Sequence, residues 1–283
     1  MGYECFDVEI NDKVAHVRLN RPDAMNSMVP SFWMELPQIV REIDDDGSAR
    51  AIVLSSTGKH FSAGMDLAVF TGGGGGANAL EGRSGEAGRR RAYLRQSAMM
   101  LQESFSVLEK ARMPVLAAIQ GGCVGGAVDM VTACDCRYAT ADAFFVIQEI
   151  NIGMTADVGT LQRLPKLIPE GVARELAYTG RRMPAARAKE VGLVNEVYAN
   201  HDEMIEQVLA TAAEIASKSP LAIWGTKEMI NFTRDHSVAD ALNYIATWQT
   251  GMFQPADMME TFAAKGEKRD AVFDDLLPNP KEF

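Results

Sequence analysis

Three carboxylates and two glycine-containing loops are the parts of this 283-residue chain best suited to chemistry. Asp129 sits in Ala-Val-Asp-Met-Val, a helical turn otherwise fit for burial. Glu149 lies between Phe144-Phe145-Val146-Ile147 and Ile150-Asn151-Ile152, and Asp157 follows eight residues later. Apolar surroundings disfavour the charged form of a carboxylate, so such a group exchanges protons near neutral pH. Each acid alone also fits a helix cap or a buried ion pair. Three of them beside a loop of free N–H groups fit proton transfer better. That loop is Gly121-Gly122-Cys123-Val124-Gly125-Gly126, set between an apolar run and a helix. Its glycines allow close backbone approach to a ligand, and the helix N-terminus turns N–H groups and a positive dipole end towards it. A phosphate or a developing oxyanion would suit this geometry. The loop lacks the Gly-Lys-Ser/Thr end of a P-loop and the spacing of a dinucleotide fingerprint. A second loop, Lys59 to Leu67, repeats the arrangement: Ala63 and Gly64 would let the Met65 N–H face a ligand, with Asp66 as a cap.

The elements that must carry these residues can be read from periodicity. Ala15, Val17 and Leu19 alternate with His16 and Arg18, which predicts a strand ended by Arg21-Pro22-Asp23. Ser31 to Asp44 reads as a helix containing Pro37. Ala51 to Leu54 and Pro114 to Ile119 read as buried strands, and Arg137 to Thr140 and Ala143 to Ile147 as short ones. Leu94, Ala98, Leu101, Phe105 and Leu108 recur at helical spacing. Further helices are predicted between Pro184 and Gly192, after Ser219-Pro220, after Ser237 and from Pro255. Strands and helices thus alternate to about Asn200, an α/β pattern, and the tail is helical. This divides residues 1–200 from 201–283. Residues 71–88 hold five consecutive glycines, Gly72 to Gly76, and read as flexible.

Composition narrows the partners. Lys and Arg number 28 against 38 Asp and Glu, a formal charge of −10 that argues against nucleic acid or an anionic membrane surface as a general partner. No apolar run approaches the ~18 residues of a membrane span. Four cysteines make no disulfide framework, and Cys134 and Cys136 lack zinc spacing. With no basic-then-apolar leader at MGYECFDVEI, a cytoplasmic protein with reduced thiols is expected.

FSAGMDL and GGCVGGAVDMVTACD resemble the two oxyanion-loop motifs of the enoyl-CoA hydratase/isomerase, or crotonase, superfamily, and LNRPDAMNSM resembles its N-terminal signature. The similarity extends over about residues 8–200 with a helical tail of matching length. Hydratases of the family usually carry Glu at the position of Asp129 and Gly at that of Asp157. The set Asp129, Glu149 and Asp157, with QEINIG and TADVGTLQRLPK around it, is most similar to the Δ3,5-Δ2,4-dienoyl-CoA isomerases of the family. The resemblance implies a spiral of ββα units followed by C-terminal helices that build trimers, commonly paired into hexamers. It implies an oxyanion hole from the N–H groups of Met65 and Gly126, Glu149 as base at carbon 2, Asp157 as acid at carbon 6 and Asp129 tuning both. Ala63, Gly64, Asp66, Leu67, Gly125, Phe144 and Met154 would line the substrate site. No metal or redox cofactor is expected, since CoA enters as part of the substrate. The turn after LNRP is Asp23-Ala24-Met25, without the basic residue of many relatives, so the CoA phosphates are expected at Arg21, Arg89 to Arg91, or Lys265 and Lys268. A hydratase would be distinguished by adding water, and a non-catalytic scaffold of this fold by failing to bind acyl-CoA.

Overall fold

The computed structural model describes residues 2–66, 68–71 and 86–280. The expected contact at Leu67 and most of the glycine-rich stretch lie outside the described residues.

The first two strands, β1 (Phe6–Asn11) and β2 (Val14–Leu19), form an antiparallel hairpin in which Phe6 faces Leu19. The helix α1 (Pro30–Asp46) then crosses to β3 (Ala51–Ser56), which runs parallel to β2. A short helix α2 (Ala68–Thr71) and a long one, α3 (Ala87–Lys110), precede β4 (Val115–Ile119), parallel to β3. Parallel strands need such crossovers, and helices laid on both faces explain why every residue of β3 and β4 is buried. That double burial is why both strands appear in the sequence as unbroken small and apolar runs.

Beyond β4 the chain adds a second, smaller layer. Strand β5 (Gly122–Val124) leads into α4 (Gly126–Thr132), followed by β6 (Cys136–Thr140) and β7 (Phe144–Val146). After α5 (Thr160–Leu167) and α6 (Glu170–Thr179) come β8 (Met183–Pro184), α7 (Ala185–Glu190) and β9 (Glu196–Tyr198). The main sheet has the order β1-β2-β3-β4-β6-β9, and the small sheet the order β5-β7-β8.

One core lies between the main sheet and α1, the end of α3, and α4, with Phe32, Phe61, Phe105 and Leu108 fully buried. Truncating one such aromatic ring to Ala costs about 3–5 kcal/mol. The other face of the sheet is covered by α8 (His201–Ala216) through Met204, Val208 and Ala212. The helix that heads the 201–283 region is therefore packed on the sheet.

The remaining helices, α9 (Pro220–Thr233), α10 (Val238–Met252) and α11 (Pro255–Glu267), begin where Ser219, Ser237 and Gln254 accept backbone N–H groups as caps. Gly225 of α9 lies under Trp248 of α10, where a Cβ would come within 2.6 Å of the indole nitrogen. The Lys227 ammonium, buried, donates to Leu108 O at 2.8 Å, Met113 O at 3.0 Å and Asp135 Oδ2 at 2.8 Å, which fixes α9 to the core. The last described segment returns as a strap: Arg50 holds Asp275 and Phe273 O, and Arg112 donates to Leu277 O.

The helical face from Leu94 to Leu108 is buried only at its C-terminal end. Phe105 and Leu108 are enclosed, whereas Leu94 is 42% exposed. The first half of α3 carries the apolar stripe past the core that buries the second half.

Candidate active site

The N-terminal turn sets the position of the 61–66 loop. Asn26 donates to Thr57 O at 2.8 Å and His60 O at 3.0 Å, while its Oδ1 accepts the Arg21 N–H at 2.8 Å. The Ser62 hydroxyl donates to Asn26 O at 2.8 Å and accepts the Gly64 N–H at 3.1 Å. Met28 then clamps the loop, donating to Gly64 O and accepting from the Asp66 N–H. Asn26 and Ser62 are positioning residues that lie inside LNRPDAMNSM and FSAGMDL without an assigned role. Both are buried polar side chains whose hydrogen bonds are met by backbone groups, and their burial is visible only in the fold.

The two loops meet at β5. Ser62 donates to Gly122 O and accepts from the Val124 N–H, both at 3.1 Å. Gly64 has φ +81°, and a Cβ there would stand 2.5 Å from Val124 O and 3.4 Å from the Gly126 nitrogen. Gly125 has φ +55°, with a Cβ site 3.1 Å from Glu149 Oε1. Only glycine accepts both the left-handed backbone and the close approach. Among the described residues, neither the Met65 nor the Gly126 N–H has an acceptor. Both residues line one cavity of about 440 Å³.

Glu149 and Asp157 line the same cavity, as do Ala63, Gly64, Gly125, Phe144 and Met154. Glu149 opens a 3-10 turn whose carbonyl accepts the Met154 N–H at 2.9 Å. Its Oε2 is buried without a partner. Burial first, and the Asp129 charge second, push its carboxyl up to about 7. Asp129 is wholly enclosed in the first turn of α4. Its Oδ1 accepts the Thr160 N–H at 2.6 Å, and its Oδ2 is unpartnered. Burial raises Asp129 to about 6 against the pull of that hydrogen bond. Asp157 stands at the exposed rim, and partial desolvation raises it as well. The three acids are thus one coupled cluster, fixed by the Asp129–Thr160 link between α4 and the turn carrying Asp157.

Other expected contacts fall elsewhere. Asp66 caps α2, accepting from the Ala68 N–H at 2.9 Å and the Ser27 hydroxyl at 3.0 Å. Arg21 donates to Ser27 O at 2.8 Å. Neither lines the cavity. Arg89 pairs with Glu86. The cavity is also lined by Trp33 and Arg182, which lie in no quoted motif, and by Gln148 and Asn151 of QEINIG, which carried no assigned role. Arg182 reaches it because β8 pairs with β7, which places its guanidinium 4.3 Å over the Phe144 ring. A two-residue strand leaves no periodic trace by which to find it.

A spiral of small strands presenting two free N–H groups and two carboxyl groups to one cavity, with a third carboxyl buried behind them, defines a class of enzyme built for proton transfer next to a polarised carbonyl. The chain belongs to the enoyl-CoA hydratase/isomerase family, which matches residues 9–276. It is 45% identical over 272 residues to the mitochondrial Delta(3,5)-Delta(2,4)-dienoyl-CoA isomerase of Mus musculus, covering 95% of this chain and 81% of that one. It is 38% identical to the peroxisomal Delta(3,5)-Delta(2,4)-dienoyl-CoA isomerase of Arabidopsis thaliana, covering 93% of each. Among solved structures, the enoyl-CoA hydratase of Bacillus anthracis superposes with a TM-score of 0.83 at 30% identity, over 95% of this chain and 99% of that one. The α/β crotonase spiral with C-terminal helices is the fold of this chain. No helix among the described residues is long and apolar enough to cross a membrane.

Proposed function

We propose that this protein is a Δ3,5-Δ2,4-dienoyl-CoA isomerase of fatty-acid β-oxidation. The observation that carries the proposal is the placement of Glu149 and Asp157 on one cavity with two free N–H groups, backed by buried Asp129. The thioester oxygen accepts from the Met65 and Gly126 N–H groups, which hold the negative charge as it develops. Glu149 removes a proton from carbon 2, and the charge spreads along the conjugated chain. Asp157 returns a proton to carbon 6, so both double bonds move. An acyl chain laid along the rim strips water from Asp157 and raises its proton affinity further, which favours the acid form in the complex. Phe144, Met154 and Trp33 keep the dienolate dry. The reaction as written needs no metal or redox cofactor. Arg182, at the cavity wall, is the cation best placed to receive the CoA moiety.

Assembly as a homotrimer, paired into a hexamer, would cover the apolar side chains of the last helices, of which Leu242 and Phe262 are more than half exposed. Free thiols at Cys5, Cys123, Cys134 and Cys136 suit a reducing compartment, the cytoplasm among them, while the relatives above are mitochondrial or peroxisomal.

An absorbance assay tests the activity. A 3,5-dienoyl-CoA should give the conjugated 2,4-dienoyl-CoA band with the wild type and not with Asp157→Asn. Hydration of a 2-enoyl-CoA without that band would make the protein a hydratase instead.

A further inference from the structure

Asp157 and Val158 line two cavities. One is the site above. The other, of about 400 Å³, lies behind the turn and is lined by Gln102, Ser106, Glu109, Gln162 and Arg163 among others. The wall between them is held from the polar side. Gln102 Nε2 donates to Asp157 O at 2.8 Å, and Arg163 Nη1 to Val158 O at 3.4 Å. Arg163 is itself fixed by Glu109 Oε2 at 2.6 Å and by the Ser106 hydroxyl at 3.1 Å. Gly159, at φ +136°, leaves the space the Arg163 guanidinium fills. The acid at the acyl rim therefore has an apolar front and a polar, ion-paired back.

We propose that Asp157 recovers its proton through this rear cavity while acyl-CoA still fills the front. The inference rests on the isomerase reading. After one turnover Glu149 carries the proton taken from carbon 2, and Asp157 has lost the one given to carbon 6. A water in the rear cavity reprotonates Asp157, leaving hydroxide equivalent that solvent neutralises. Glu149 releases its proton when product leaves, so no net proton is consumed. The alternative, direct relay from Glu149 to Asp157, would return the substrate's own hydrogen to carbon 6.

The test combines an isotope and a plug. Over many turnovers in D2O, wild type should place one solvent deuterium at carbon 6 in every product molecule, where a relay would return protium. Gln162→Phe, which fills the rear cavity with a ring, should lower kcat about tenfold and leave kcat/KM within twofold, because reprotonation follows chemistry. Gln162→Asn should keep wild-type kcat. Loss of kcat/KM as well would mean that the ring only misplaces Asp157. That result, unlabelled carbon 6, or an unchanged kcat in Gln162→Phe would overturn the proposal. A readout independent of turnover separates it from the isomerase reading. With a saturated acyl-CoA bound, the protonated-carboxyl infrared band absent from Asp157→Asn should shift on mixing into D2O, faster in wild type than in Gln162→Phe. Equal rates would overturn the rear route, whereas absence of 2,4-dienoyl-CoA formation would overturn the activity.

Discussion

Burial sets the proton affinities of the three acids, and two consequences are measurable. Glu149 acts as a base only when ionised, so with its carboxyl near 7 the acid limb of kcat/KM should fall below about pH 7. The Asp129 charge contributes to that elevation, so Asp129→Asn should move the acid limb to lower pH. An unmoved limb would remove Asp129 from the cluster. The limb belongs to the coupled acids rather than to one residue. The second consequence is stability. Asp129 titrates near 6 in the fold against an ordinary 3.8. Its ionisation is thus disfavoured in the folded state: the cost is absent below about pH 4, grows through pH 6 and persists above it. Two pH units correspond to about 3 kcal/mol. Asp129→Asn, which keeps an acceptor for the Thr160 N–H, should be more stable than wild type by up to about 3 kcal/mol at pH 8 and equal to it at pH 4, by denaturant titration. These acids were legible in the sequence because carboxylates in apolar stretches stand out. Arg21 shows a role that its sequence position did not indicate: its guanidinium donates to Ser27 O of the signature turn itself.

Among the elements, the Met65 and Gly126 N–H groups depend on two crossing loops whose glycines admit no side chain. Gly64→Ala would drive a Cβ into Val124 O and displace the Met65 N–H. Its kcat should fall by about 10²–10³-fold, the cost of one oxyanion donor, while Glu149→Gln should lose about 10²–10⁴-fold from the missing base. Steady-state kinetics on purified, folded variants would check both. The helix α4 and strands β3 and β4 were readable because long apolar runs and glycine pairs mark them. The small sheet was only partly so. Strands β5 and β8 span three and two residues, too few for an alternation. Their pairing is decided by tertiary contact, and that pairing brings Arg182 to the cavity.

For the whole molecule, the sequence divides a mixed core from a helical tail, and the fold redraws that division physically. Helix α8 seals the sheet, while α9 to α11 stand beyond it, fixed by Lys227 and the Asp275 strap. Helical periodicity identifies an apolar face but not what covers it, so α8 and α10 look alike in sequence. The exposed apolar side chains of α10 and α11 predict assembly through them. Leu242→Asp together with Phe262→Asp should convert a trimer or hexamer to smaller species in sedimentation, with the monomer fold kept by circular dichroism. An oligomer unchanged by both would place the interface elsewhere.

The division of labour between Glu149 and Asp157 is tested most directly by proton exchange at carbon 2. A 3,5-dienoyl-CoA incubated in D2O with Asp157→Asn should exchange its carbon-2 hydrogens, seen by NMR, and form no 2,4-dienoyl-CoA. With Glu149→Gln it should do neither. Carbon-2 exchange that survives in Glu149→Gln, or product formation at the wild-type rate in Asp157→Asn, would contradict the assignment of base and acid.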